Sequence, residues 1–174
     1  MKRKASKTKS GIILLGWREW VAFPDLRVRN IKAKLDTGAR TSSLHAFRMH
    51  RYVSDGQEMV RFEVHPVQRS RASSVEVEAR VLEERKIRNS GGGVEVRPVI
   101  ETMLELAGRQ WPIELTLTRR DEMGFRLLLG RQALRGRVAV DSGASFRAKH
   151  VKWQKPEAPN GPQVRRPARS QEEE

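Results

Sequence analysis

A hydrophobic alternation of period two, repeated in short runs between turn residues, constrains this chain more than any other feature. In Val75-Glu76-Val77-Glu78-Ala79-Arg80-Val81, apolar and charged residues alternate strictly, as a strand with one buried face requires. Ile113, Leu115 and Leu117 alternate with Glu114, Thr116 and Thr118; Phe62 and Val64 with Arg61, Glu63 and His65; Val94 and Val96 with Glu95 and Arg97. Turn signals separate these runs: Pro24-Asp25, Asp55-Gly56, Asn89-Ser90-Gly91-Gly92-Gly93 and Ala107-Gly108. Many short strands broken by turns predict an all-β sandwich or barrel. One short helix is expected, near residues 131–135 after Gly130. Leu26 and Val28 share one parity, whereas Ile31, Ala33 and Leu35 share the other, which predicts a bulge or turn near Asn30.

The chain divides into three zones. Residues 1–10 form a basic tail, residues 11–151 read as one folded domain, and residues 152–174 hold Pro156, Pro159, Pro162 and Pro167 before Glu172-Glu173-Glu174. Both tails are expected to be disordered, because such compositions cannot bury a core. The net charge is +14, about half of it in the tails. So basic a surface implies weak, salt-sensitive affinity for nucleic acid, ribosomes or acidic polypeptides. The absence of cysteine excludes disulfides, thiolate catalysis and Cys-ligated metal sites. The apolar run Ile12–Leu15 is too short for a signal peptide or a membrane span, so the reading is a cytoplasmic protein.

The chemistry concentrates at Leu35-Asp36-Thr37-Gly38-Ala39-Arg40-Thr41-Ser42-Ser43-Leu44, where an apolar strand delivers a carboxylate, a hydroxyl residue, a glycine and a small residue. A glycine here permits close backbone approach, so that amide N–H groups reach the carboxylate. Further on, Phe125-Arg126-Leu127-Leu128-Leu129-Gly130-Arg131-Gln132-Ala133-Leu134 reads as an apolar strand that stops at Gly-Arg and opens a helix. Together with Arg97-Pro98-Val99-Ile100 and Glu114-Leu115-Thr116-Leu117-Thr118, these segments closely resemble the bacterial retropepsin-like family long labelled "ATP-dependent zinc protease". The resemblance covers roughly residues 12–148.

The resemblance implies a closed β-barrel of the acid-protease type and a symmetric homodimer. Asp36, Thr37 and Gly38 would form the catalytic motif, one copy per subunit. Asn89, Ser90, Gly91, Gly92 and Gly93 would tip a substrate-covering flap between strands 75–82 and 94–97. With Ala39 and Arg40 they would contact a peptide or protein substrate. Gly130 and Arg131 would support the catalytic loop from below. Relatives of this kind are often linked with ATP-grasp ligases that add amino acids, notably glutamate, and an acidic substrate would suit the basic surface.

Neither half of the family label finds a motif in the chain. There is no His-Glu-x-x-His, and His45 and His50, read on one strand, point to opposite faces. No Walker A pattern is present. The expectation is an enzyme without metal or cofactor. Arg40 stands where acidic residues follow the motif in other retropepsins; it either lowers the pKa of the carboxylate pair, binds an acidic substrate side chain, or pairs with a surface carboxylate. Thr41, Ser42 and Ser43 read as strand hydroxyls, and the tryptophans as packing residues. A second Asp-Ser-Gly-Ala, at residues 141–144, reads as structural, since the chain after it cannot build another lobe. Its rival reading pairs Asp36 with Asp141 in an active monomer. The rival function is a non-catalytic basic barrel that binds RNA, the ribosome or an acidic protein.

Overall fold

A computed structural model describes residues 11–67, 74–88, 91–119 and 124–148. The expected tails at 1–10 and 152–174, and the flap residues Asn89 and Ser90, lie outside them. The described chain forms twelve strands and one helical turn: β1 (Ile13–Gly16), β2 (Arg18–Phe23), β3 (Val28–Leu35), β4 (Ser42–His45), β5 (Phe47–Ser54), β6 (Gln57–Val64), β7 (Val75–Arg80), β8 (Glu83–Arg88), β9 (Val94–Leu106), β10 (Arg109–Thr118), β11 (Leu127–Leu129), α1 (Arg131–Leu134) and β12 (Val138–Asp141).

Six of these strands close on themselves in the order β10-β4-β11-β3-β2-β9, and β9 returns to β10 through eight paired positions from Arg109↔Leu106 to Thr116↔Val99. Closure leaves no free edge in the ring and places one face of every strand inside. The alternating residues fill that interior: Phe23, Ile31, Leu44, Leu104, Leu115 and Leu129 are all fully buried. The barrel of the acid-protease type expected from the resemblance is therefore the fold. Outside the ring, β5, β6 and β7 form a separate antiparallel sheet, and β1 pairs in parallel with β12.

The parity shift before Asp36 is a bulge. Val21 pairs with Ile31 but Phe23 with Val28, so β3 spends one residue more than β2, and Arg29 and Asn30 face solvent. This extra residue brings Ala33 and Leu35 back to the core and ends the strand at Leu35, immediately before Asp36.

The glycine-rich hairpin has a different first strand from the one expected. The run from Val75 to Arg80 pairs with β6, and β9 takes β8 as its partner, in the register Arg88↔Val94 to Glu83↔Val99. The chain turns between the two strands, where Val81 is buried and the Leu82 N–H donates to the Val99 carbonyl. The segment Glu83–Arg88 lacks apolar alternation because neither of its faces packs into the core. In the facing strand the polarity is reversed: Val94 and Val96 are 60% and 52% exposed, while Arg97 is buried.

His45 and His50 lie on separate strands, β4 and β5, rather than on one. The His45 and His65 rings flank Phe47, at centroid distances of 4.1 and 3.9 Å.

Candidate active site

Asp36 leaves the barrel where β3 ends, and its backbone N–H still donates to Leu129 O of β11 at 2.8 Å. The chain then folds back over its own carboxylate. Asp36 Oδ1 accepts the Gly38 N–H at 3.0 Å and the Ala39 N–H at 3.1 Å. Gly38 suits this turn through space rather than through a special φ: a Cβ there would stand 3.3 Å from Asp36 Oδ1. The second oxygen, Oδ2, lies 3.3 Å from the Lys34 ammonium, and the Asp36 side chain is about one-fifth exposed. Burial pushes this carboxyl up. The Ala39 N–H, the charge and hydrogen bond of Lys34, and the Gly38 N–H together outweigh burial and hold it below its ordinary value.

Beneath the loop lies α1, entered through Gly130. A Cβ on Gly130 would approach the Thr41 carbonyl oxygen to 2.5 Å and its carbon to 2.6 Å, so only glycine lets the two segments pass. The Gly130 N–H donates to Ser42 Oγ at 3.1 Å, and Ser42 O accepts Thr116 Oγ1–H at 2.9 Å. The Arg131 N–H donates to Ala39 O and the Gln132 N–H to Arg40 O. The Arg131 guanidinium reaches the carbonyls of Thr37 and Gly38, each at 3.3 Å. Trp111 Nε1–H donates to Ala133 O at 2.9 Å and ties the helix to β10. The loop thus rests on a lattice of backbone bonds that Gly130 and Arg131 complete.

Above residues 38–41 opens a cleft of about 710 Å³. Its walls include Ser43 and Leu128 on one side, and Arg85, Lys86, Ile87, Arg88 and Arg97 of the β8–β9 hairpin on the other. Arg85 pairs with Glu83 and Glu114, and Arg97 with Glu95. Arg40 lines the same cleft and forms no ion pair with a carboxylate among the described residues. Of the expected flap residues, Gly91, Gly92 and Gly93 are exposed beyond the end of β8, and Gly92 has a φ of +84°, a conformation glycine adopts without strain.

Sequence reasoning overlooked the cationic wall and Lys34. Arg85-Lys86 and Arg88 look like a solvated strand face until β8 is placed over the loop; the one available signal was their density beside the glycine run. Asp141, the second Asp-x-Gly aspartate, accepts its own Gly143 N–H at 3.0 Å and pairs with Arg147 at 2.6 Å. Among the described residues, no group of three or more His, Asp or Glu converges as metal ligands.

The family model described as retropepsin-like aspartic endopeptidase RimB matches residues 14–150. A Shewanella halifaxensis protein named probable alpha-L-glutamate ligase is 46% identical over 133 residues, which is 76% of this chain and 29% of that protein. A Parasynechococcus marenigrum protein of the same name is 45% identical over 150 residues, 86% of this chain and 32% of that protein. The chain therefore spans about a third of the length of these curated relatives. A solved Legionella pneumophila protein of unknown function superposes with a TM-score of 0.66 at 29% identity, covering 78% of this chain and 98% of that one. A barrel that delivers Asp-Thr-Gly-Ala onto a Gly-Arg helix, and a family match over most of its length, place the chain in the RimB-like family of retropepsin-like aspartic endopeptidases.

Proposed function

We propose that this chain is one half of an aspartic peptidase, in which Asp36 from each of two subunits forms the catalytic pair. The observation that carries this reading is the Asp36 carboxylate, held by the N–H groups of Gly38 and Ala39, two residues that themselves line a cleft of about 710 Å³. Two such carboxylates across a two-fold axis cannot both stay ionised, so they share one proton and titrate as a pair. The ionised member takes a proton from water, which attacks the scissile carbonyl; the protonated member donates to the carbonyl oxygen. Collapse of the tetrahedral adduct breaks the C–N bond, and the amine leaves with a proton.

Support for the second subunit comes from β12. It pairs only with β1 among the described residues, and all four of its residues are half-buried. Beside it, Thr37, Arg131, Leu134 and Val138–Val140 line a groove of about 810 Å³ that also reaches Arg40. A partner seated there would cover the strand and approach Thr37 of the catalytic loop. The Asp36–Asp141 pairing has less support, because Asp141 is engaged by Arg147 and no interaction joins the two carboxylates among the described residues.

The cationic cleft favours an acidic peptide. Charge-assisted bonds from Arg40, Lys86 and Arg88 suit side-chain carboxylates. Relatives named probable alpha-L-glutamate ligase make glutamate-rich chains the first substrates to test. The test is cleavage of a glutamate-rich peptide by the chain and by Asp36→Asn. The expected result is cleavage that the substitution reduces by at least about a hundredfold while the circular dichroism spectrum stays the same. Retained cleavage in Asp36→Asn would overturn the reading. Salt-sensitive RNA binding indifferent to Asp36→Asn, with no cleavage, would favour the barrel as a binding module instead.

A further inference from the structure

The reaction described above needs only Asp36 from each chain, yet that carboxylate has a charged companion on its own strand. Lys34 and Asp36 are two residues apart at the end of β3, so their side chains stand on the same side. Lys34 Nζ lies 3.3 Å from Asp36 Oδ2, the oxygen that the loop amides leave to it. The Lys34 side chain is 43% exposed, yet it is within reach of one carboxylate only among the described residues.

The neighbouring strand β2 brings one carboxylate, the buried Glu19, which is taken by the N–H groups of Gly16, Arg147 and Ala148. Across β2, Arg18 is the paired neighbour of Lys34, but its guanidinium turns to Ser145 Oγ and to the rings of Trp17 and Phe146. Across β11 the neighbour is the uncharged Leu128. From α1, Arg131 is spent on the Thr37 and Gly38 carbonyls, and Arg40 lies beyond the loop on the cleft wall. Lys34 is therefore the cation in direct contact with the reacting carboxylate.

We propose that Lys34 is a positioning residue of the catalytic centre: its ammonium clamps Asp36 Oδ2 while the Gly38 and Ala39 amides clamp Oδ1, which fixes the plane of the carboxylate and makes its proton uptake depend on Lys34. For catalysis this rests on the aspartic-peptidase reading. A pair of carboxylates that works with one shared proton loses that proton at lower pH when a cation stabilises the fully ionised state. Lys34 thus sets the alkaline limit of activity.

The test uses the full chain with Lys34→Met, which keeps the aliphatic stem, and Lys34→Arg, which keeps the charge. Carbon-13 NMR follows the titration of the Asp36 carboxyl and needs no substrate. The expected result is a midpoint moved to higher pH in Lys34→Met and restored toward the parent value in Lys34→Arg. The alkaline limb of kcat/KM on a glutamate-rich peptide should move in the same direction and be rescued in the same way. An Asp36 titration unchanged in a folded Lys34→Met chain overturns the clamp, whether or not the protein cleaves peptides. A moved titration in a chain that cleaves nothing upholds the clamp and counts against the peptidase reading instead.

Discussion

Two residues decide whether the Asp36 loop holds its shape, and each makes a prediction. Gly130 passes so close to Thr41 that a methyl group has no room. Gly130→Ala should cost about 1–3 kcal/mol, the usual penalty of overpacking, read as a lower urea midpoint, and should depress cleavage as the loop shifts. Asp36 itself is held below its ordinary value of 3.8, against the opposing effect of burial, by the Ala39 and Gly38 amides and Lys34. A group whose folded-state value is depressed adds stability above its unfolded value and loses it as pH falls through the folded one. The charge of Asp36 should therefore stabilise the isolated subunit at neutral pH and cease to do so in acid. Urea denaturation of parent and Asp36→Asn should show a difference at pH 7 that narrows below 3.8. A difference that widens in acid would contradict the lowered value.

The β8–β9 hairpin shows what an element does that its residues do not announce. Its pattern reads as an ordinary half-buried strand, yet the valines Val94 and Val96 face outward and Arg97 inward. The hairpin projects beyond the ring, so its inner face lines the cleft and has the Asp36 loop, not a core, to cover. Charged residues suit that face because they can stay paired or solvated there: Arg85 meets Glu114 across the cleft. Arg88 and Arg40 have no such partner among the described residues. Reversing the charge in Arg88→Glu should lower kcat/KM for a glutamate-rich peptide about tenfold, the loss of one charge-assisted bond, and leave a neutral peptide unaffected. Equal losses on both peptides would mean that the hairpin acts through its shape alone.

At the scale of the whole molecule, the proposed carboxylate pair makes the ring of six strands one half of a two-chain site. Sedimentation equilibrium of the 19.9 kDa chain should show reversible dimerisation. Under the proposed pairing of two Asp36 carboxylates, specific activity should fall on dilution, because each chain supplies one of them. Val140→Lys, on the half-buried β12 beside the groove at Thr37, should abolish both together while the barrel stays folded. Full activity in a strictly monomeric chain would return Asp141 to consideration as the second carboxylate.

The amino-acid pattern alone marked the strands β3, β6, β7, β9, β10 and β11, a bulge or turn before Asp36, the helix after Gly130 and the identity of the loop, because each is a local rule. Period two marks a strand with one buried face, a parity shift marks an extra residue, and Asp-Thr-Gly-Ala and Gly-Arg are contiguous words. Even there it misjudged partners: Val75–Arg80 was assigned to the glycine hairpin, and His45 and His50 to one strand, since alternation names a strand without naming its neighbour. Only the tertiary structure decided which strands close the ring, which face of β9 is turned inward and where cations gather. Closure joins β9 to β2 and β10 to β4, residues far apart in the chain, and that joining carries Arg85, Arg88 and Arg97 over the Asp36 loop. A cleft is a relation between distant segments, so no window of sequence contains it.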